Sequence, residues 1–91
     1  RILVNRLNGM DVQFSGDKTT LVVQNLDEPG MLADITCLLS NEKINIATLQ
    51  LYRSQRGGYA LTIAETDSPI PDQCLEGLRK LRGILQVTYL E

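Results

Sequence analysis

The sequence predicts an α+β fold: a two-layer sandwich of one four-stranded antiparallel sheet and two helices, with an N-terminal β-hairpin extension. Three observations predict it. Asn8-Gly9 separates two short β-prone runs, and both residues tolerate the positive φ of a tight hairpin turn. From residue 19 onward, apolar residues switch between the two-residue period of strands and the 3.6-residue period of helices, in the order β-α-β-β-α-β. That order is the split-βαβ, ferredoxin-like arrangement, and right-handed crossovers put both helices on one sheet face.

Each element has a local reason. Ile2 to Leu7 and Met10 to Ser15 read as the strands of the hairpin, and Gly16-Asp17-Lys18 as the turn that follows. Thr19 to Leu26 is β-branched and apolar. Leu21, Val23 and Asn25 fall on one face of it, and Thr20, Val22, Gln24 and Leu26 on the other. Asp27-Glu28-Pro29-Gly30 breaks the strand. Pro29 suits the first helical position, where its missing N–H is no loss, and Asp27 and Glu28 put negative charge at the positive end of the helix dipole. Met31, Leu32, Ile35, Leu38 and Leu39 then form one helical face, so a helix is expected over about 30–42.

Ile44-Asn45-Ile46 starts the next strand, with Ala47, Leu49 and Leu51 on one side and Thr48, Gln50 and Tyr52 on a more polar side. Arg53 to Gly58 is a hairpin turn in which the two glycines take the turn conformation. Tyr59 to Glu65 returns as a strand. Asp67-Ser68-Pro69-Ile70-Pro71 opens a second helix that buries Cys74, Leu75, Leu78 and Leu81. Arg79, Lys80 and Arg82 favour its C-terminal end, Gly83 stops it, and Ile84 to Leu90 is the last strand. The sheet face away from the helices, carrying Thr48, Gln50 and Tyr52, reads as too polar for a second core layer. The chain divides into a hairpin junction at 1–18 and one folded domain at 19–91.

Composition narrows the chemistry. At 91 residues the chain fits one domain, with little volume for a deep, self-contained active site. It contains no histidine, which removes Ser-His-Asp and Cys-His catalysis and His-ligated metals. A net charge of −2 with 4% aromatic residues lacks both the basic footprint and the stacking platforms of nucleic-acid binders. Cys37 and Cys74 are far apart and form no C-x-x-C pair. This excludes a paired-thiolate metal loop and points to a reducing cytoplasm. No apolar run approaches the roughly 20 residues that span a bilayer. Arg1 rather than Met at the first position predicts a piece of a longer polypeptide.

One constellation remains. The first domain strand leaves through Asn25-Leu26-Asp27-Glu28-Pro29-Gly30-Met31, and the helix returns through Asn45-Ile46-Ala47. Backbone N–H groups at a helix N-terminus suit a carboxylate, and Gly30 allows close approach. Asp27 is an acceptor for an ammonium group, and Asn25 and Asn45 are donors or acceptors. Together these match an α-amino acid. The same residues also have a purely structural reading, with Asp27 as a cap, Pro29-Gly30 as a turn and Asn45 satisfying backbone at a strand start.

The run Leu21…Asn25-Leu26-Asp27-Glu28-Pro29-Gly30-Met31-Leu32…Ile44-Asn45-Ile46-Ala47 resembles the signature of the ACT domain, a regulatory amino-acid-binding module, and the similarity covers about 19–91. The upstream stretch through Leu7-Asn8-Gly9-Met10-Asp11-Val12, Phe14-Ser15-Gly16 and Thr20-Leu21 is similar to the junction before the ACT domain in iron–sulfur-dependent L-serine dehydratase β subunits. Long forms of D-3-phosphoglycerate dehydrogenase have a similar junction. Phe14-Ser15-Gly16 to Thr20-Leu21 and Glu65-Thr66-Asp67 look more like the dehydratase.

The resemblance implies a homodimer through side-by-side sheets. It also implies an effector, L-serine, bound between the paired domains by the loop after the first strand and the start of the second. Carried over by position, the ligand-binding residues are Asn25, Asp27, Glu28, Pro29, Gly30, Met31 and Asn45, with Ile46 and Ala47 nearby. In the serine-binding dehydrogenase form, histidine stands at the place of Asn25 and asparagine at that of Asp27. A carboxylate at 27 repels a ligand's carboxylate and accepts its ammonium. No catalytic residue, metal or cofactor is expected in this chain; an iron–sulfur cluster is expected in the parent enzyme if that is the dehydratase. Neither nucleic acid nor membrane is an expected partner.

Overall fold

The computed structural model describes residues 3–7, 10–14, 19–54 and 57–90, the first two segments as backbone only. β1 (Leu3–Leu7) and β2 (Met10–Phe14) pair antiparallel with Leu7 opposite Met10, forming their own two-stranded sheet. The Asn8-Gly9 turn and the turn expected at Gly16-Asp17-Lys18 lie outside the described residues. The remaining elements are β3 (Thr19–Leu26), α1 (Met31–Asn41), β4 (Ile46–Arg53), β5 (Tyr59–Thr66), α2 (Asp72–Arg79) and β6 (Ile84–Leu90). The four strands form one antiparallel sheet in the order β4-β5-β3-β6. This is the β-α-β-β-α-β arrangement that the hydrophobic periods predict.

The main core lies between the helices and one sheet face. Leu21 and Val23 of β3, Ala64 of β5 and Val87 of β6 meet Ile35 and Leu39 of α1 and Cys74, Leu75 and Leu78 of α2. Met31, Ile35 and Leu39 are the buried positions of α1, spaced four apart as one helical stripe. Ile70 seals the entry to α2, and its N–H donates to the Tyr89 hydroxyl at 2.9 Å. Burying such side chains stabilises by roughly 1.5–3 kcal/mol each.

Several local expectations are corrected. Leu81 lies beyond α2, which ends at Arg79, and is only partly buried against the core. The chain at Ile44 and Asn45 is not yet a strand. Ile44 is a core residue reached through Lys43 at φ 61, and β4 begins at Ile46. Ile46 stands opposite Thr66 while Thr48 stands opposite Glu65, so Ala47 is the extra residue of a β-bulge. The bulge turns Ile46 toward the core and leaves Ala47 exposed. The sheet face away from the helices is also less polar than its edge suggests. At its centre Val22, Leu61 and Ile63 are buried together with Thr20 and Glu65, and Glu65 accepts a 2.6 Å hydrogen bond from the Thr48 hydroxyl.

Candidate functional site

The loop between β3 and α1 is fixed by its neighbours on both sides. The Leu26 N–H donates to the Gly83 carbonyl at 2.8 Å, and the Asp27 N–H donates to the Gly58 carbonyl at 3.2 Å. Gly30, at φ 88 and ψ −14, is the N-cap of α1. Pro29 therefore lies before the cap and is not the first helical residue, because the left-handed turn at Gly30 takes the chain into the helix. Asp27 is not a cap either, since no side chain caps α1. Its carboxylate instead stands 3.5 Å from Nε of Arg53, the last residue of β4. Glu28 is paired with Arg82, in the turn between α2 and β6, at 3.1 Å.

Asn25 is only 2% exposed. Its amide nitrogen donates to the Leu26 carbonyl at 2.9 Å, and its oxygen accepts from the Thr62 hydroxyl at 3.0 Å. It braces β3 against β5 directly beneath the loop. A buried amide with donor and acceptor engaged in this way holds the loop's geometry.

Asn45 lies elsewhere. Its side-chain amide donates to the Asp67 carboxylate, and its carbonyl accepts from the Asp67 N–H at 3.1 Å. Ile46, opposite Thr66, marks the end of the sheet where β3 begins at Thr19; Asp27 follows the other end, where Leu26 faces Tyr59. Eight residues of strand, on the order of 25 Å at about 3.3 Å each, separate the two groups. Within one chain, the structure gathers Asn25 to Met31 at one end of the sheet and Asn45, Ile46 and Ala47 at the other.

Arg53, Gly58, Arg82 and Gly83 also border the loop, and sequence reasoning missed them in this role. The sequence reads the two arginines as part of a hairpin turn and a helix-terminal basic cluster, where charge is ordinary; the structure instead ends β4 on Arg53 and sets Arg82 in the turn before β6. No spacing marks their partners. Cys37 is exposed and Cys74 buried, on different helices. Two such thiols do not fit the four thiolates that commonly hold an iron–sulfur cluster. Among the described residues no group of three or more His, Cys, Asp or Glu side chains is placed to hold a metal ion, and no helix is long and apolar enough to cross a membrane.

The chain is a ferredoxin-like sandwich with amide and carboxylate side chains at both ends of its sheet, and comparison with known proteins makes the class specific. The ACT domain family model matches residues 19–83, and the chain belongs to that family. It is 33% identical over 90 residues to the probable L-serine dehydratase beta chain of Bacillus subtilis, covering 99% of this chain and 41% of that protein. It is 36% identical over 88 residues to the D-3-phosphoglycerate dehydrogenase of Archaeoglobus fulgidus, covering 94% of this chain and 17% of that one. The chain thus spans less than half the length of each of these relatives. Among solved structures, the ACT domain from the GTP pyrophosphokinase of Chlorobium tepidum superposes with a TM-score of 0.65 at 24% identity, covering 79% of this chain and 95% of that one. This likeness speaks for the fold alone.

Proposed function

We propose that this chain is the regulatory domain of a cytoplasmic L-serine dehydratase and that it binds L-serine between two copies of itself. One observation carries the reading. The two halves of the candidate site lie at opposite ends of β4, and β4 is an edge strand. A two-fold axis that pairs β4 antiparallel with a second β4 brings residues 45–47 of each chain to the 27–31 loop of the other. A two-fold interface repeats the same contact on both sides, so one such dimer completes two sites. The edge supports this pairing. Leu49 and Leu51 are 38% and 42% exposed on the helix side of β4, and an unpaired strand edge is a template for another strand. Leu32 of α1, also exposed, is displaced around the helix from the buried stripe, away from Leu38, which faces Gly77 of α2. It therefore borders the same side as β4.

A ligand spanning two chains changes the assembly only by its different affinity for two arrangements, and that difference is the regulatory signal. The iron–sulfur cluster and the chemistry belong to the remainder of the parent enzyme. The phosphoglycerate dehydrogenase relatives leave a second parent for the same domain, and the serine-binding form that the resemblance implies fits that parent too. The Asp27–Arg53 pair, which already neutralises Asp27, favours a second reading in which the domain dimerises without ligand.

Calorimetric titration of the chain with L-serine, other small amino acids serving as controls, decides between them. Binding is expected at one site per chain, with a dimer in sedimentation velocity. A dimer giving no heat with any amino acid supports the ligand-free reading. A monomer at all concentrations excludes both.

A further inference from the structure

We propose that Arg53 binds the ligand's carboxylate, and that the Asp27–Arg53 pair makes the site selective for zwitterions. This rests on the interface site above. Arg53 is the last residue of β4, at the end of the edge strand that two-fold pairing brings to the partner's Asn45. Its side chain is 70% exposed, against 29% for Asp27, and the contact runs from Nε at 3.5 Å. That is longer than the 2.7–2.9 Å of a tight charge-assisted hydrogen bond. Such an exposed, loose pair adds little to stability, so exchanging it for ligand contacts costs little. A guanidinium also presents several N–H donors in a fixed fork. One edge is able to keep Asp27 in reach while another takes a carboxylate.

The pairing resolves the charge problem at position 27. Taken alone, Asp27 and Glu28 repel an incoming carboxylate. In the structure each has a guanidinium beside it, Arg53 for Asp27 and Arg82 for Glu28. Arg82 belongs to the turn before β6, at the opposite edge of the sheet from β4. Of these two guanidinium groups, Arg53 is the one that stands at the proposed interface. An α-amino acid brings an ammonium and a carboxylate one carbon apart, and this pair offers a carboxylate and a guanidinium side by side. Each ligand charge meets its opposite. A ligand without its carboxylate leaves Arg53 unmatched, and one without its ammonium sets its carboxylate against Asp27.

The test is calorimetry on the 91-residue chain with L-serine, L-serinamide and 3-hydroxypropanoate. Wild type is expected to bind L-serine at least about tenfold more tightly than either analogue, the size of one charged hydrogen bond. Arg53→Gln is expected to lose about tenfold for L-serine and less than about twofold for L-serinamide, with an unchanged melting temperature. Arg53→Lys is expected to recover part of the loss. Equal losses for L-serine and L-serinamide mean that Arg53 merely shapes the loop, and that result overturns the proposal, as does an Arg53→Gln chain that binds L-serine like wild type. Both leave the interface reading standing. A wild-type chain that binds neither L-serine nor another small amino acid overturns this proposal together with the amino-acid-binding reading it rests on.

Discussion

At Gly83 the backbone has φ 88, and a Cβ built there lies 2.6 Å from Met31 Sδ. The same residue's carbonyl accepts the Leu26 N–H, so one glycine ties the turn after α2 to both sides of the candidate loop. Gly30 has the same φ but open space around its Cβ position. A side chain at Gly30 meets backbone strain alone, about 1–2 kcal/mol. At Gly83 the buried Met31 must also move, so Gly83→Ala is expected to cost about 2–3 kcal/mol in urea denaturation, more than Gly30→Ala. Equal losses show that Met31 swings aside freely. The sequence marks Gly83 as a helix stop, but α2 ends at Arg79 with Lys80 as its cap, and the glycine instead serves the turn into β6. Its close approach to Met31 was not legible, because that depends on a contact between segments far apart in the chain. The same limit applies to Asp27. Its place in the loop follows from the strand-breaking Asp-Glu-Pro-Gly run, but its partner Arg53 emerges only once β4 and β5 bring their hairpin beside the loop.

Among elements, β4 carries the most consequence. Its alternation correctly sends Leu49 and Leu51 to the helix side, yet both stay exposed because β4 is at the sheet edge. Edge position is set by strand order, which local periods do not contain. The bulge at Ala47 was equally hidden, because a single extra residue shifts register without altering composition. Lysine on an edge strand opposes strand addition. The double variant Leu49→Lys, Leu51→Lys is therefore expected to sediment as a folded monomer with an unchanged far-UV circular dichroism spectrum. Exposed substitutions usually change stability by less than about 0.5 kcal/mol each, so the loss falls on association. A variant that stays dimeric directs the interface to another surface, and β6, the other sheet edge with exposed Leu85 and Leu90, is then the next to test.

At the scale of the whole molecule, the order of elements and the one-sided packing of the helices were legible because connection rules and periodicity are sequence-local. The gathering of the site was legible only through the family resemblance, which implies paired domains, and not from local periods. It needs two ends of one strand and, in the proposed assembly, two chains. The same one-sided packing also sets how the molecule responds to alkali. Cys74 lies in the core between α2 and the sheet, 1% exposed. Burial pushes its thiol above the ordinary value of 9.0, and the negative charge of Glu42 pushes it further in the same direction. As pH rises through this range the unfolded chain therefore loses the Cys74 proton before the folded chain does. The folded state then binds more protons than the unfolded one, so stability falls as pH rises. One proton bounds the slope at about 1.4 kcal/mol per pH unit, and the fall ends once the folded thiol itself ionises. Other groups titrate in that range, so the readout is the difference between wild type and Cys74→Ala in urea denaturation under reducing conditions from pH 7.5 to 10.5. Cys74→Ala starts less stable, because it leaves a small cavity. It is expected to close that gap as pH rises, and parallel curves show that the thiolate is accommodated in the folded core.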